Sequence, residues 1–249
     1  EIVSMSEFLI VTDAHSATLD DLVVTHKSLI VSGSKNIKWF VYGAVPDAVK
    51  HLQRRWSFRR VRVVATADEF KTSDFVVFLN AGDGLYRESL VNVRETIRKN
   101  VAVDLIYGDA AHPTGINAEP LNFVRRPGWS PERLRGHCYV GETLVARTEV
   151  VERAGGITDL VARNVHDRAL RLSENAQNIV RMPELLTMAK NQDSRPSASL
   201  QAVVDHCARQ KIIADCEFEA AVPSVRVKRN LTTQPSVAVI VPTRGTSAE

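Results

Sequence analysis

Cysteine is scarce in this chain of 249 residues, which contains only Cys138, Cys207 and Cys216 and no CxxC spacing. An odd number of unpaired cysteines is not typical of a disulfide framework or a zinc site, so we expect reduced thiols. Long apolar runs are also missing, since none approaches the ~20 residues that cross a bilayer. The N-terminus shows no signal-peptide pattern. We therefore expect a protein without a transmembrane segment, located in the cytoplasm or at the inner face of the membrane.

The sequence also lacks the motifs of several common enzyme classes. No GxGxxG follows a strand, and no GxxxxGK[ST], GxSxG or HExxH is present. This argues against a dinucleotide-binding fold, a P-loop, an α/β-hydrolase and a zinc protease. The net charge is only +3, which by itself indicates no polyanionic partner.

One arginine-rich segment, residues 54–62, is interleaved with Trp56 and Phe58. Such a pattern can follow a nucleic-acid strand. A solvated helix end that leads into a strand explains it as well. Because the net charge is small, we favour the second interpretation and expect no nucleic-acid partner.

Short β-rich runs alternate with helical stretches in the first half of the chain. Thr18 is a candidate N-cap for the first helix, which Gly33 would end. The order predicts an α/β fold with a mostly parallel central sheet and helices on both faces. The predicted strands lie at 8–12, 37–42, 61–65, 75–79 and 103–107, and the predicted helices that follow the first one lie at 46–56 and 86–99.

The second half of the chain is less regular. Three prolines and two glycines between residues 112 and 128 predict mostly loop. The elements predicted after it are strands at 143–147, 179–182 and 224–229 and helices at 149–154, 164–173 and 197–209.

Polar residues follow several predicted strands at their carboxyl ends, where ligands bind in open α/β sheets. Asp13 follows the first strand, residues 80–83 follow the central one, and Asp109 follows the next. Carboxylate and amide oxygens suit a Mg²⁺ or Mn²⁺ ion that clamps a diphosphate, and Asp83 and Asp109 are the carboxylates nearest the sheet centre. Residues 80–84 also have the composition of a simple turn, so both interpretations stay open.

His166 and Asp167 form a second candidate site. A histidine beside a carboxylate can transfer protons. The alternative is a helix N-terminus that the aspartate stabilises through the helix dipole.

Several ordered segments resemble the GT-A glycosyltransferases of family 2, especially the tandem-domain enzymes of polysaccharide and O-antigen assembly. The similarity runs from Asp104 to about Thr243, and the aspartate-rich loop of the family, "FLDxDD.L", resembles residues 78–85. The family motifs "DLIYSDED", "KPDWSPDLL", "NYIGHLLVFRRELVEEVGG" and "QDYDLALRL" resemble residues 104–111, 126–134, 137–156 and 164–172.

The resemblance implies a GT-A, Rossmann-like fold that takes a nucleotide-sugar donor, a glycan acceptor and a divalent cation, Mn²⁺ or Mg²⁺. It also implies losses. In the aspartate motif only Asp83 remains, because Asn80 and Gly82 stand where the family has its other aspartates. Val165 stands at the position of the catalytic base, and valine cannot accept a proton.

The resemblance leaves few residues for the roles of the family's site. The implied metal residues are Asp83 and Asp109, and His166 and Asp167 are the candidates for the catalytic groups. The implied donor-binding residues are Asp13, Asn80, Asp83, Asp109 and Trp129.

The C-terminal run 237–244 resembles "VSIIIPTRD", the opening of a second domain of the same kind. We therefore expect a GT-A-like domain over residues 1–230, and a linker with the first strand of a second glycosyltransferase domain over 231–249. Two functions stay open for this domain. One is a working transferase, and the other is a non-catalytic module that serves as a scaffold or binds an acceptor or a partner. We expect the whole protein to be a glycosyltransferase in which this domain is impaired.

Overall fold

A computed structural model describes residues 7–34, 37–43, 61–64, 73–113, 120–190, 198–231, 233 and 236–242 of the chain. The helix predicted over 46–56 and the arginines at 54–60 lie outside the described residues. None of the helices in the described ranges has the length and apolar character that crossing a bilayer requires.

The described part of the chain alternates strands and helices along most of its length. In the first half the elements are β1 (Phe8–Asp13), α1 (Leu19–Val31), β2 (Ile37–Tyr42), β3 (Val61–Val64), β4 (Phe75–Phe78), β5 (Gly84–Leu85), α2 (Ser89–Lys99) and β6 (Leu105–Pro113). In the second half they are β7 (Pro120–Val124), α3 (Pro131–Gly136), β8 (Leu144–Arg147), α4 (Thr148–Arg153), α5 (Ile157–Ala162), α6 (Val165–Asn175), β9 (Ile179–Met188), α7 (Leu200–Arg209), β10 (Ala214–Glu219) and β11 (Ser224–Arg229).

Nine of these strands form one sheet. Eight of them follow the order β3-β2-β1-β4-β8-β6-β9-β5, and the ninth, β7, pairs with β6 outside this order. The strands β3, β2, β1 and β4 are parallel, and so is the pair β6 and β9. Strand β8 lies antiparallel between β4 and β6. After β1 the chain builds β2 and β3 on one side and then returns to place β4 on the other. This reversal at β1 is a topological switch point, where a crevice opens beyond the carboxyl ends of the strands.

Both faces of the sheet are buried under helices, which confirms the predicted α/β class. Along β1 the side chains alternate, with Phe8 and Ile10 in one core and Leu9 and Val11 in the other. Helices α1 and α2 cover the first core, and α3 to α7 cover the second. The central strands β1 and β4 are buried and apolar on both sides, since helices cover both faces there.

Helix α1 begins as predicted at the N-cap Thr18. The Thr18 hydroxyl accepts a hydrogen bond from the backbone N–H of Asp21 (3.2 Å), and the Asp21 carboxylate accepts one from the N–H of Thr18 (3.2 Å). This capping box satisfies two N–H groups that the helix cannot pair internally. It also fixes the Asp21 carboxylate beside the crevice.

The loop predicted over residues 112–128 is in part wrong. Strand β6 continues to Pro113 and pairs antiparallel with β7, which begins at Pro120. Both prolines stand at strand ends, where a missing N–H removes no central ladder bond. Strand β9 likewise runs beyond the predicted 179–182 to Met188, and β10, which pairs with β11, was not predicted.

Residues 236–242 form no strand in the structure, and their apolar side chains are exposed. Val237, Val239 and Ile240 are 80% to 89% exposed. A second domain that begins in this segment stays a prediction.

Candidate functional site

A cleft of about 350 Å³ opens at the switch point, beyond the carboxyl ends of β1 and β4. Its size is in the range of small-ligand sites. The residues that line it are Asp13, Ser16, Ala17, Asp21, Asn80, Ala81, Asp83, Gly108, Ala110, His112, Val124, Arg126, Cys138, Val140, Gly141, Glu142, Thr143, Val165, Thr187, Ala189 and Lys190. Three predicted donor-binding residues, Asp13, Asn80 and Asp83, are therefore brought together here.

Asp83 is held in place by backbone contacts. Its Oδ1 accepts the N–H of Lys190 (2.7 Å), and the Thr25 hydroxyl donates to the Asp83 carbonyl (2.8 Å). Thr25 also accepts the N–H of Gly82 (2.9 Å), whose φ of +87° favours glycine. Glycine at this position therefore allows the turn that buries Asp83.

Burial, with a smaller contribution from the negative charge of Glu142, raises the pKa of Asp83 from 3.8 to about 7. The N–H of Lys190 opposes this change by favouring the carboxylate form. At neutral pH Asp83 is thus a partly protonated acid, which is a weaker cation ligand than an ionised aspartate.

The polar groups at the rim bind one another. The Asn80 amide donates to the Glu142 carboxylate. Asp13 accepts hydrogen bonds from the N–H of His15 (3.1 Å) and lies 2.7 Å from its Nδ1. Lys190 Nζ lies 2.6 Å from the carboxylate of Asp21.

Asp109 is engaged away from Asp83. Its neighbours Gly108 and Ala110 line the cleft, whereas its own carboxylate accepts hydrogen bonds from Arg181 Nη2 (3.0 and 3.1 Å) and from the N–H of Arg126 (2.8 Å). The contact with Arg181 ties β6 to β9.

Trp129 also lies apart from the other predicted donor-binding residues. Its ring packs on Tyr139 at a centroid distance of 6.5 Å, and it is not among the described residues that line the cleft.

His166 lies inside the protein, on α6. Its Nδ1 accepts the N–H of Ser199 (3.1 Å), and its Nε2 lies 2.6 Å from the carbonyl oxygen of Leu134. A neutral ring protonated on Nε2 satisfies both contacts. Burial lowers the pKa of His166, which favours that neutral form.

Asp167 is surrounded by arginines. Its carboxylate is 2.8 Å from Arg163, 3.1 Å from Arg171 and 3.5 Å from Arg209. In the first turn of α6, Val165 lines the cleft instead. The role of His166 and Asp167 as catalytic groups stays a prediction, and their contacts favour the helix-terminus alternative.

Among the described residues, no group of three or more His, Cys, Asp or Glu side chains is arranged to hold a metal ion. The implied metal residues have separate partners, since Asp83 binds the backbone of Lys190 and Asp109 binds Arg181. Mg²⁺ is usually bound through one or two ionised carboxylates together with waters and phosphate oxygens. Since Asp83 is partly protonated and Asp109 is paired with Arg181, this donor set does not fit a tightly held divalent cation.

Sequence reasoning missed three residues that have buried polar atoms without a partner among the described residues. Arg126 and Thr143 line the cleft, and Arg168 lies behind it. Arg126 stands where the family motif has lysine, which was a usable signal. Arg168 stands at a leucine position of the "QDYDLALRL" motif, so a charge on an apolar helix face was also visible. Thr143 gave no signal, because only the fold brings it to the cleft.

The similarity of this chain to known proteins extends over only part of their length. No family model matches the chain. The chain is 29% identical over 209 residues to the O-antigen biosynthesis protein RfbC of Myxococcus xanthus, a match that covers 74% of this chain and 16% of the relative.

Two solved structures have a similar fold. One is the S. aureus TarS fragment 1–349 in complex with UDP, with a TM-score of 0.55 and 12% identity over 75% of this chain and 61% of TarS 1–349. The other is the mannosyltransferase PcManGT of Pyrobaculum calidifontis in complex with GDP-Man and Mn²⁺, with a TM-score of 0.53 and 12% identity over 84% of this chain and 65% of that one. The chain thus spans about three-fifths of these structures. The predicted fold is confirmed by this likeness.

Proposed function

From the GT-A fold of this chain we propose that it is a module of a glycosyltransferase that builds a cell-surface polysaccharide or O-antigen-type glycan. The donor class is a nucleotide sugar, and the module itself is impaired in sugar transfer. The relative in O-antigen biosynthesis supports the biological setting. The neighbours crystallised with UDP and with GDP-Man support the donor class. A cytoplasmic location at the inner face of the membrane goes with this proposal.

The proposed impairment of sugar transfer rests on the position of Val165. It lines the cleft at the place that the family motif assigns to the catalytic base. An inverting transfer needs a group that takes the proton of the acceptor hydroxyl, and positioned bases contribute about 10²- to 10⁴-fold in rate. His166 and Asp167 have their polar atoms bound to other parts of the protein. Neither His166 nor Asp167 is therefore free to replace the carboxylate that the family has at the position of Val165.

The weak candidate site for a divalent cation also supports impaired sugar transfer. A divalent cation, Mn²⁺ or Mg²⁺, would supply charge neutralisation for the leaving diphosphate. Of the two residues that the resemblance assigns to it, Asp83 lines the cleft and Asp109 binds Arg181. We therefore expect weak or absent activation of this module by Mn²⁺.

The test is donor turnover by the 249-residue chain. UDP-, GDP- and dTDP-sugars are incubated with the chain, with Mn²⁺ or with a chelator, and release of nucleoside diphosphate is measured. PcManGT with GDP-Man and Mn²⁺ serves as the positive control for the assay. We expect release at the level of protein-free buffer. Mn²⁺-dependent release that disappears in Asp83→Ala would overturn the impairment.

A second function is a binding module without catalysis, which joins an acceptor glycan or a second glycosyltransferase domain of the same chain. The exposed apolar segment 237–241 favours it, because side chains such as Ile240, which is 89% exposed, have no described partner to cover them. Retention of acceptor oligosaccharides by the chain in the absence of any donor would distinguish this function, whereas an impaired transferase requires the donor site.

A further inference from the structure

Two arginines, one at the wall of the cleft and one behind it, have buried guanidinium N–H groups without a hydrogen-bond partner among the described residues. Arg126 lines the cleft, and Arg168 lies behind it on α6, three residues after Val165. Arg126 lies within electrostatic range of the carboxylates of Asp109 and Glu142, and Arg168 within range of those of Asp13 and Glu142. None of these carboxylates forms an ion pair with either guanidinium in the described part of the chain. We call Arg126 and Arg168 the arginine wall.

Arg126 is only partly satisfied by the protein. Its Nη1 donates to the carbonyl of Tyr139 (3.1 Å), while its Nε is buried without a hydrogen-bond partner among the described residues. The guanidinium packs on the backbone at Gly141, where a Cβ would lie 2.9 Å from Nη2. Gly141 has a φ of +87°, so glycine at this position both permits the turn and leaves room for the arginine.

Arg168 is more deeply buried and less satisfied. Its side chain is 4% exposed, and its guanidinium lies 5.1 Å from the centre of the Phe78 ring. Its Nε and Nη2 have no hydrogen-bond partner in the described part of the protein. Thr143, which lines the cleft, adds a buried hydroxyl that is also unpartnered.

Buried cations of this kind need a counter-charge. Removing a guanidinium from water without pairing it is costly, and burial lowers the pKa of both arginines as a consequence. The other described cations near the cleft have their own partners, because Arg181 binds Asp109 and Lys190 binds Asp21. The unpaired N–H groups of the arginine wall therefore suit an anion that enters the cleft.

The geometry favours phosphate oxygens. A guanidinium presents several N–H donors in a planar fork that matches the spacing of phosphate oxygens, and its charge does not depend on a metal. Arg126 and the Thr143 hydroxyl line the cleft and provide donors for phosphate oxygens, and Arg168 adds a positive charge behind them. A carboxylate ligand would use fewer of these donors.

We propose that the arginine wall binds the diphosphate of a nucleotide donor, and that Arg126 and Arg168 take the place of a divalent cation. This inference rests on the proposed donor class. It assigns to the cleft a metal-independent site that retains the donor although the base position is occupied by Val165. The module then senses or holds a nucleotide sugar without turning it over.

The experiment measures binding of inorganic pyrophosphate and of UDP, GDP and dTDP to the 249-residue chain by calorimetry, in chelator and again with Mn²⁺. We expect pyrophosphate and at least one nucleotide to bind in chelator. Arg126→Gln should weaken pyrophosphate binding by about tenfold or more, since it loses charge-assisted hydrogen bonds, and Arg168→Gln should weaken it through the loss of a nearby charge. Arg126→Lys should fall between the wild type and Arg126→Gln, because it keeps the charge and loses the fork.

Arg98→Gln is the matched control. Arg98 is an exposed arginine on α2 that pairs with Glu95, so its loss should leave pyrophosphate affinity unchanged. Circular dichroism and thermal unfolding establish that each variant is folded. Arg168 is buried, so its substitution can prevent folding. If Arg168→Gln does not fold, the comparison of Arg126→Gln with the wild type decides the test.

Pyrophosphate binding that requires Mn²⁺, or that is equal in Arg126→Gln and the wild type, would overturn the arginine wall. So would the absence of binding to the folded wild-type chain. The proposed function is tested separately by donor turnover, so a chain that binds nucleotide only with Mn²⁺ and turns nothing over would refute this inference alone.

Discussion

Replacing Asp83 by asparagine should stabilise the protein, and the gain should grow with pH. Asp83 is 6% exposed, and burial raises its pKa to about 7. In the unfolded chain the same carboxyl titrates near 3.8. Between these values the folded state binds more protons than the unfolded state, so the free energy of unfolding falls as the pH rises. Asparagine keeps an oxygen that can accept the N–H of Lys190, but it has no charge to bury.

The magnitude follows from the two pKa values. A tenfold change in proton affinity is about 1.4 kcal/mol, so the interval from 3.8 to about 7 corresponds to a penalty of about 4 kcal/mol for ionised Asp83 at high pH. The penalty is absent below pH 3.8 and complete above pH 7. Between pH 5 and pH 8 the advantage of Asp83→Asn over the wild type should therefore increase by about 3 kcal/mol.

The assay is urea unfolding of both proteins at pH 5, 6, 7 and 8 in the presence of a chelator. Asp20→Asn is the control, because it removes a carboxylate that is exposed and does not line the cleft. The difference between variant and wild type isolates Asp83 from other titrating groups. Parallel pH profiles for Asp83→Asn and the wild type would refute the reasoning, since they would show that Asp83 titrates alike in both states.

Three further substitutions test the description of the fold and the cleft, each by urea unfolding at pH 7. Thr18→Ala removes the capping box of α1 and should lower the free energy of unfolding by about 1 kcal/mol, with Ser16→Ala, which lies outside the cap, as control. Leu170→Ala opens a cavity beneath α6 and should cost about 2–5 kcal/mol; a loss below 1 kcal/mol would contradict its complete burial. His166→Ala removes the contacts to Leu134 and Ser199 and should destabilise the fold by about 2–4 kcal/mol. It should leave pyrophosphate affinity unchanged, and a tenfold loss of affinity would instead place His166 in the site.

The local features of this protein were readable from its sequence. Local sequence determines the Thr18 cap, the apolar strands and the helices of the second half. Each of these features depends on residues that are close together in the chain. The position of the cleft was also predictable, because the carboxyl ends of parallel strands meet at one edge. Whether residue 165 can act as a base depends on one residue, and the identity of Val165 alone excludes proton transfer by its side chain.

The loop predicted between residues 112 and 128 is in part wrong because strand pairing is not a local property. Prolines are typical of loops, whereas Pro113 and Pro120 mark the ends of two paired strands. Which strands pair depends on backbone hydrogen bonds between distant segments, and the insertion of β8 between β4 and β6 has no local signal.

Only the tertiary structure decided what each charged side chain does. Asp109 looks like a metal ligand in the sequence, yet its partner Arg181 lies 72 residues away. His166 and Asp167 are neighbours in the chain, but one contacts Leu134 and Ser199 and the other a set of arginines. The identity of a residue sets which interactions it can make. The packing of segments that are far apart in the chain determines which partner it meets and whether water is excluded there. In this protein that packing withdraws the expected catalytic groups from the cleft and leaves the charge of Arg126 at its wall.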